Sequence, residues 1–203
     1  MENVLRVQVR HFKGLQNRGP CFELDESPVK PTIIENEKTI TYQSGKLMAT
    51  IQKAGKGWSV VYSADGKRLT ESGYHGMAHA QHRETKDAYM IDSLYLDVGE
   101  RVYGFGERFT PYVKNGQVVE TWNEDGGTAS EIAYKSIPFY MTNRGYGVFV
   151  ENPGPVSYEV ASEKVERVQF SLPGEELTYD IIYGETPKEI ISRYTALTGR
   201  PAL

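Results

Sequence analysis

A chain of 203 residues that is 39% hydrophobic and 11% aromatic holds enough apolar side chain for one large β domain, or for a domain with an appendage. Its formal net charge is −4, with Lys and Arg spread along the chain, which argues against an extended nucleic-acid footprint. No apolar run approaches the roughly 20 residues of a membrane span, and a single Cys (Cys21) excludes an internal disulfide framework.

The N-terminal MENVLRVQVRHF alternates like a strand and lacks the continuous apolar stretch of a secretory signal, so a cytoplasmic location is expected. Short alternating runs follow at Thr32 to Asn36, Thr39 to Gln43, Lys46 to Gln52 and Trp58 to Ser63, the last ending at an Ala64-Asp65-Gly66 turn. Such runs, punctuated by Gly and Asp, are the pattern of an antiparallel sandwich or barrel. Pro28 and Pro31 suit a strand at a sheet edge. Glu71 to Asp87 is polar and irregular and reads as a loop, after which Tyr89 to Val98 resumes the strand pattern.

The stretch from Glu100 to Val150 organises the rest. VYGFGERF (Val102 to Phe109) interleaves aromatics with glycines, as in a strand whose backbone lies close against a neighbour. TWNEDGGT (Thr121 to Thr128) is an acidic, glycine-rich tip headed by a Trp. Ile137 to Asn152 reads as two strands around Asn143-Arg144-Gly145. A long loop thrown out from a sheet is therefore expected, and loops of that length commonly carry function. Further strands are expected at Val156 to Ala161, Val165 to Leu172 and Leu177 to Tyr183. At Thr186-Pro187-Lys188-Glu189 the pattern changes to a capping box, with Ile190, Ile191, Tyr194 and Leu197 at helical spacing and Gly199 and Pro201 as the stop. A helix appended to a long β region reads as a connector.

The chemistry legible from residue types is sparse. Glu120, Glu124 and Asp125 gather at the acidic tip, but glycoside hydrolysis needs two carboxyl groups facing each other roughly 5 to 9.5 Å apart, which neighbours on one loop do not obviously supply. One of them contacting sugar hydroxyls, with Trp122 as an apolar wall, and a merely solvated tip both stay open. His75, His79 and His82 could share a helix face and bind zinc, yet Gly73 and Gly76 disfavour a helix there, so exposed loop histidines and no metal are expected. GFGERF lacks the third glycine and the following helix of a phosphate loop. No G-x-S-x-G is present, and Cys21 between Pro20 and Phe22 reads as packing.

At VYGFGERFTPYVKNGQ, TWNEDGGT, YKSIPFYMTNRGYGVFVENPG and VQFSLPGEELTYDIIYGETPKEIISRYTALTGRPAL, the chain resembles the N-terminal region of glycoside hydrolase family 31, nearest to bacterial α-xylosidases. The likeness runs from about Leu94 to Leu203. It implies an all-β fold: an antiparallel β-sandwich of galactose-mutarotase-like topology with a short C-terminal connecting helix. Residues 1–185 would form the sandwich, and residues 186–203 would lead to a (β/α)8 catalytic barrel absent from this chain. The two catalytic Asp residues of a retaining mechanism would lie in that barrel, leaving no catalytic residue here and no cofactor. The resemblance also implies that the W-N-x-D loop walls the terminal-sugar pocket, with Asp125 contacting substrate hydroxyls, Tyr134 near the pocket and Trp122 supporting the loop. The implied partners are an α-xylosyl or α-glucosyl oligosaccharide, the missing barrel and, in the full-length protein, further copies of the same chain. Two rival readings are a stand-alone carbohydrate-binding module and a mutarotase-like enzyme. The latter would need a His with a carboxylate in a cleft.

Overall fold

A computed structural model describes residues 1–11, 22–25, 29–53, 57–124 and 134–202. In chain order its strands are β1 (Val4–Arg10), β2 (Thr32–Glu35), β3 (Thr39–Ser44), β4 (Leu47–Gln52), β5 (Val60–Ala64), β6 (Lys67–Ser72), β7 (Ala78–Gln81) and β8 (Ala88–Tyr95). They continue as β9 (Val102–Gly106), β10 (Gln117–Glu120), β11 (Ser136–Thr142), β12 (Tyr146–Val150), β13 (Ser157–Val160), β14 (Arg167–Pro173) and β15 (Glu176–Tyr183), before the helix α1 (Pro187–Thr198).

Three five-stranded sheets result, ordered β1-β15-β12-β11-β9, β10-β13-β14-β8-β7 and β2-β3-β4-β5-β6. Every neighbouring pair is antiparallel. The third sheet is a meander whose registers follow from tight turns at Gly45 and Gly66, both at positive φ. Pro31 directly precedes β2, which is an edge strand, as its missing N–H requires.

All three sheets feed one core. Leu47 and Tyr62 come from the meander, Leu94, Tyr158 and Phe170 from the second sheet, and Val102, Tyr140, Val148 and Tyr179 from the first. At its centre a buried carboxylate joins the three. Asp92 on β8 accepts from Ser72 Oγ on β6 at 2.6 Å, from its neighbour Ser93 N at 2.7 Å and from Tyr179 Oη on β15 at 2.8 Å. Tyr62 Oη on β5 lies 3.3 Å from that of Tyr179.

Within the first sheet β12 is buried on both faces, which explains why Tyr146-Gly147-Val148-Phe149-Val150 shows no polar alternation. Its outer face carries Phe139, Phe149 and Ile182, and α1 covers them with Ile190 and Leu197. Tyr194 stacks on Phe139 at 4.2 Å between ring centroids. The capping box forms with a small shift from the expected pattern. Thr186 Oγ1 accepts from Glu189 N at 3.3 Å, whereas the Glu189 carboxylate accepts from Glu185 N, one residue before the cap, at 3.0 Å.

Two parts of the sequence reading need correction. Glu71–Asp87 is not one loop: Glu71 and Ser72 finish β6, and Ala78–Gln81 forms β7, the edge of the second sheet. The span between β9 and β11 is also not a single loop, because Gln117–Glu120 forms β10 at the opposite edge of that sheet.

Candidate functional site

The acidic stretch departs from a root built by β9, β10 and β11. Gly104 and Gly106 on β9 sit at φ +125° and +84°, and both lie against the β11 strand and its approach. A Cβ on Gly104 would fall 2.7 Å from the Phe139 carbonyl oxygen, and one on Gly106 would fall 1.9 Å from that of Lys135. The pairing between the two strands accordingly shifts register between Ser136 and Tyr140. The residue between the glycines, Phe105, is itself at φ +69° and fully buried. The glycines of VYGFG thus serve close backbone approach, as their spacing implied.

Arg108 ties the root together. Its guanidinium donates to the Phe105 carbonyl at 3.2 Å, the Glu120 carbonyl at 2.6 Å and Ser136 Oγ at 2.9 Å, joining the ends of β9 and β10 to the start of β11. Ser136 extends the net: its N–H donates to Asn123 Oδ1 at 2.6 Å and its hydroxyl to the Trp122 carbonyl at 3.1 Å. Thr121 is anchored on the Val156 carbonyl by both its N–H and its hydroxyl. Nearby, Lys114 donates to Thr110 Oγ1 at 2.9 Å, and burial, then the Arg108 charge, pull its ammonium pKa down.

Beside this root lies a cavity of about 520 Å³, lined by Trp122, Asn123 and Ser136 on one side and by Tyr194 and Thr198 of α1 on another. The loop root and the C-terminal end of α1 therefore share one face of the domain. Glu23 is the single carboxylate among the described lining residues, so these side chains do not provide the facing pair that glycoside hydrolysis requires.

Of the three residues singled out for substrate contact or loop support, Trp122 borders the cavity and is half exposed, and Tyr134 is 67% exposed. Asp125 lies outside the described residues, as does Cys21. Arg108 and Ser136 were missed. The available signal was an Arg two residues past a Gly-x-Gly strand end, a charge with the reach to satisfy carbonyls at a loop base.

A family model described as the glycosyl hydrolase 31 N-terminal galactose mutarotase-like domain matches residues 1–159. The chain belongs to this glycosyl hydrolase 31 domain family. Among curated relatives, an alpha-xylosidase of Lactiplantibacillus pentosus is 45% identical over 98% of the chain and 26% of its own length. An alpha-xylosidase of Emericella nidulans is 42% identical over 100% of the chain and 28% of its length. The chain thus spans about a quarter of the length of these relatives. A Flavobacterium johnsoniae GH31 dextranase complexed with isomaltotriose has the same fold, with a TM-score of 0.87 at 23% identity over 100% of this chain and 25% of its own. A GH31 alpha-xylosidase from a soil metagenome, complexed with xylose, gives 0.78 at 20% identity over 98% of this chain and 31% of its own.

Within this family 31 domain the histidines fall differently from the expected trio. His82 Nδ1 bonds the N–H and hydroxyl of Thr85, and His75 packs on the Tyr74 ring. His79 instead stacks on His11 from the far N-terminal strand. Those two were separate in the sequence reading, and they meet because the edges of two different sheets, β1 and β7, end side by side.

The family 31 loop root gives one direct expectation. Arg108→Met should lower stability by about 2 kcal/mol, because three carbonyl or hydroxyl partners lose a charged donor. Urea unfolding measures the cost, and amide exchange should speed up at Ser136 while the core strands keep their protection.

Proposed function

We infer that this domain is the non-catalytic front part of a retaining α-glycosidase, an α-xylosidase, that releases terminal α-linked xylose from oligosaccharides. The two alpha-xylosidases compared above bear that activity in their names and extend well beyond the region matched here. The observation that carries the role of the domain is the shared face described above. The root of the acidic loop and the end of α1 flank one cavity, so a barrel continuing from the helix would meet the loop at its mouth.

In this reading residues 1–185 are the sandwich and residues 186–203 the link to a (β/α)8 barrel that holds both catalytic carboxylates. The loop supplies a wall of the terminal-sugar pocket. Asp125 accepts hydrogen bonds from substrate hydroxyls, Tyr134 borders the sugar and Trp122 supports the loop base. Hydrogen bonds to the sugar ring that tighten as it flattens toward an oxocarbenium ion contribute to the rate. Substrates are α-xylosyl or α-glucosyl oligosaccharides, the working form is a homo-oligomer, and the protein acts in the cytoplasm.

The test is Asp125→Ala in the barrel-containing protein, assayed on an aryl α-xyloside. The expected result is a fall in kcat/KM of about 100-fold, the scale of losing one transition-state hydrogen bond to charge, with the melting temperature unchanged. Wild-type turnover in that variant removes the pocket role.

A second reading rests on the exposed aromatics Phe109, Tyr112, Trp122 and Tyr134, which a carbohydrate-binding module would stack on sugar rings. It requires the 203-residue chain alone to bind a xylo- or gluco-oligosaccharide in calorimetry.

A further inference from the structure

We propose that His11, His79 and Glu175 form a binding site for a divalent transition-metal ion of the zinc type, clasping the edges of two sheets. The three residues come from the end of β1, from β7 and from the turn between β14 and β15. His11 Nδ1 lies 2.7 Å and His79 Nε2 3.0 Å from the same oxygen, Oε2 of Glu175. The two imidazole rings stack with centroids 3.6 Å apart and planes within 6°. One potential ligand atom from each residue lies within 4.8 Å of the others.

The donor set suits such an ion. Two imidazole nitrogens and one carboxylate oxygen are a recurrent zinc set that leaves a fourth position to water. Tetrahedral ligand atoms about 2.0–2.1 Å from an ion stand roughly 3.3 Å from one another. Reaching that separation from the carboxylate opens the two contacts by roughly 0.3–0.6 Å, and one imidazole must turn out of the parallel stack so that both in-plane lone pairs converge on the ion. Without an ion, each contact at hydrogen-bond distance needs a proton, since an ionised carboxylate and an imidazole lone pair repel. An entering cation displaces those protons and takes both lone pairs and the carboxylate.

The framework holds the donors in place. His11 N donates to the Glu175 carbonyl at 3.0 Å. His79 is fixed opposite Met90 by the β7–β8 ladder. Gly174, at φ +119°, makes the turn that presents Glu175, and its N–H donates to the Ala88 carbonyl at 2.8 Å. The side chains of His79 and Glu175 are 22% and 24% exposed, which leaves an entry path from solvent. An ion here would fasten β1, the edge of the first sheet, to β7, the edge of the second.

The experiment is a calorimetric titration of the untagged full chain with Zn2+, repeated with Co2+ followed by visible absorption. The expected result is one ion per chain, ligand-field bands from the bound Co2+, and a melting temperature that rises with Zn2+ and returns on chelation. His79→Ala and Glu175→Gln should each weaken binding by more than the roughly 10–100-fold that loss of an outer-shell partner costs. His82→Ala, which alters a histidine outside the cluster, should leave binding and stoichiometry unchanged. A titration of the wild type without saturable binding overturns the proposal. So does binding that survives His79→Ala with the same stoichiometry and affinity.

Discussion

Gly106→Ala is expected to lower the stability of the chain by about 3 kcal/mol or more, whereas Gly116→Ala should cost about 1 kcal/mol. The two glycines have nearly the same backbone torsion, φ +84° and +85°, so the conformational strain of an added side chain is matched. They differ in space. A Cβ at Gly106 meets the Lys135 carbonyl oxygen at 1.9 Å, while one at Gly116 meets nothing within 4 Å. Backbone cannot rotate away as a side-chain tip can, so β9 must move off β11, and Arg108 loses its aim at Glu120 and Ser136. Guanidinium unfolding midpoints of the two variants measure the difference. Equal midpoints would mean that torsional strain alone sets the cost and that β9 and β11 are not closely apposed.

The second large effect concerns acid and base. Burial, partly offset by hydrogen bonds from Ser72, Tyr179 and Ser93, pushes the Asp92 carboxyl pKa up from 3.8 to about 6. Between those values the folded chain holds a proton that the unfolded chain has released. Stability from this group is therefore complete below about pH 4 and declines as pH rises through 6, by about 3 kcal/mol in all. Asp92→Asn carries no such proton and should flatten the stability profile between pH 4 and pH 7 while keeping an acceptor for Ser72. Urea midpoints measured across that range provide the check. An Asn variant with the wild-type slope would assign the dependence to other carboxylates.

The sequence made visible the elements whose pattern is local. Alternating runs gave β1 to β5 to within two residues, the capping box located α1, and the paired glycines of VYGFG announced a close strand contact. What escaped has physical reasons. Ala78-His79-Ala80-Gln81 has no large apolar residue because β7 is an edge strand with most of its surface in water, so no alternation marks it. β10 is four residues long and hides within a loop-like composition. The division into three sheets depends on pairings between distant segments, which no window of sequence contains. The same holds for the candidate sites. Trp122 stood out through its loop, but Arg108 gains its role from three partners spread over β9, β10 and β11, and His11 meets His79 only because β1 and β7 end up as neighbouring edges.

The placement of β1 has a consequence for how the protein is made. Val4 pairs with Ile182 and Arg10 with Glu176, so β1 must wait for a partner made long after it. At roughly 5–20 residues per second, the nascent β1 waits about 10–35 seconds before its partner exists. An idle strand is an invitation to pair with a neighbouring chain. Arg6, Gln8 and Arg10 alternate along β1, so each residue that will face water in the finished sheet is polar or positively charged. These side chains act as gatekeepers during the wait, and they later engage Glu151 and Glu176 once the sheet has closed.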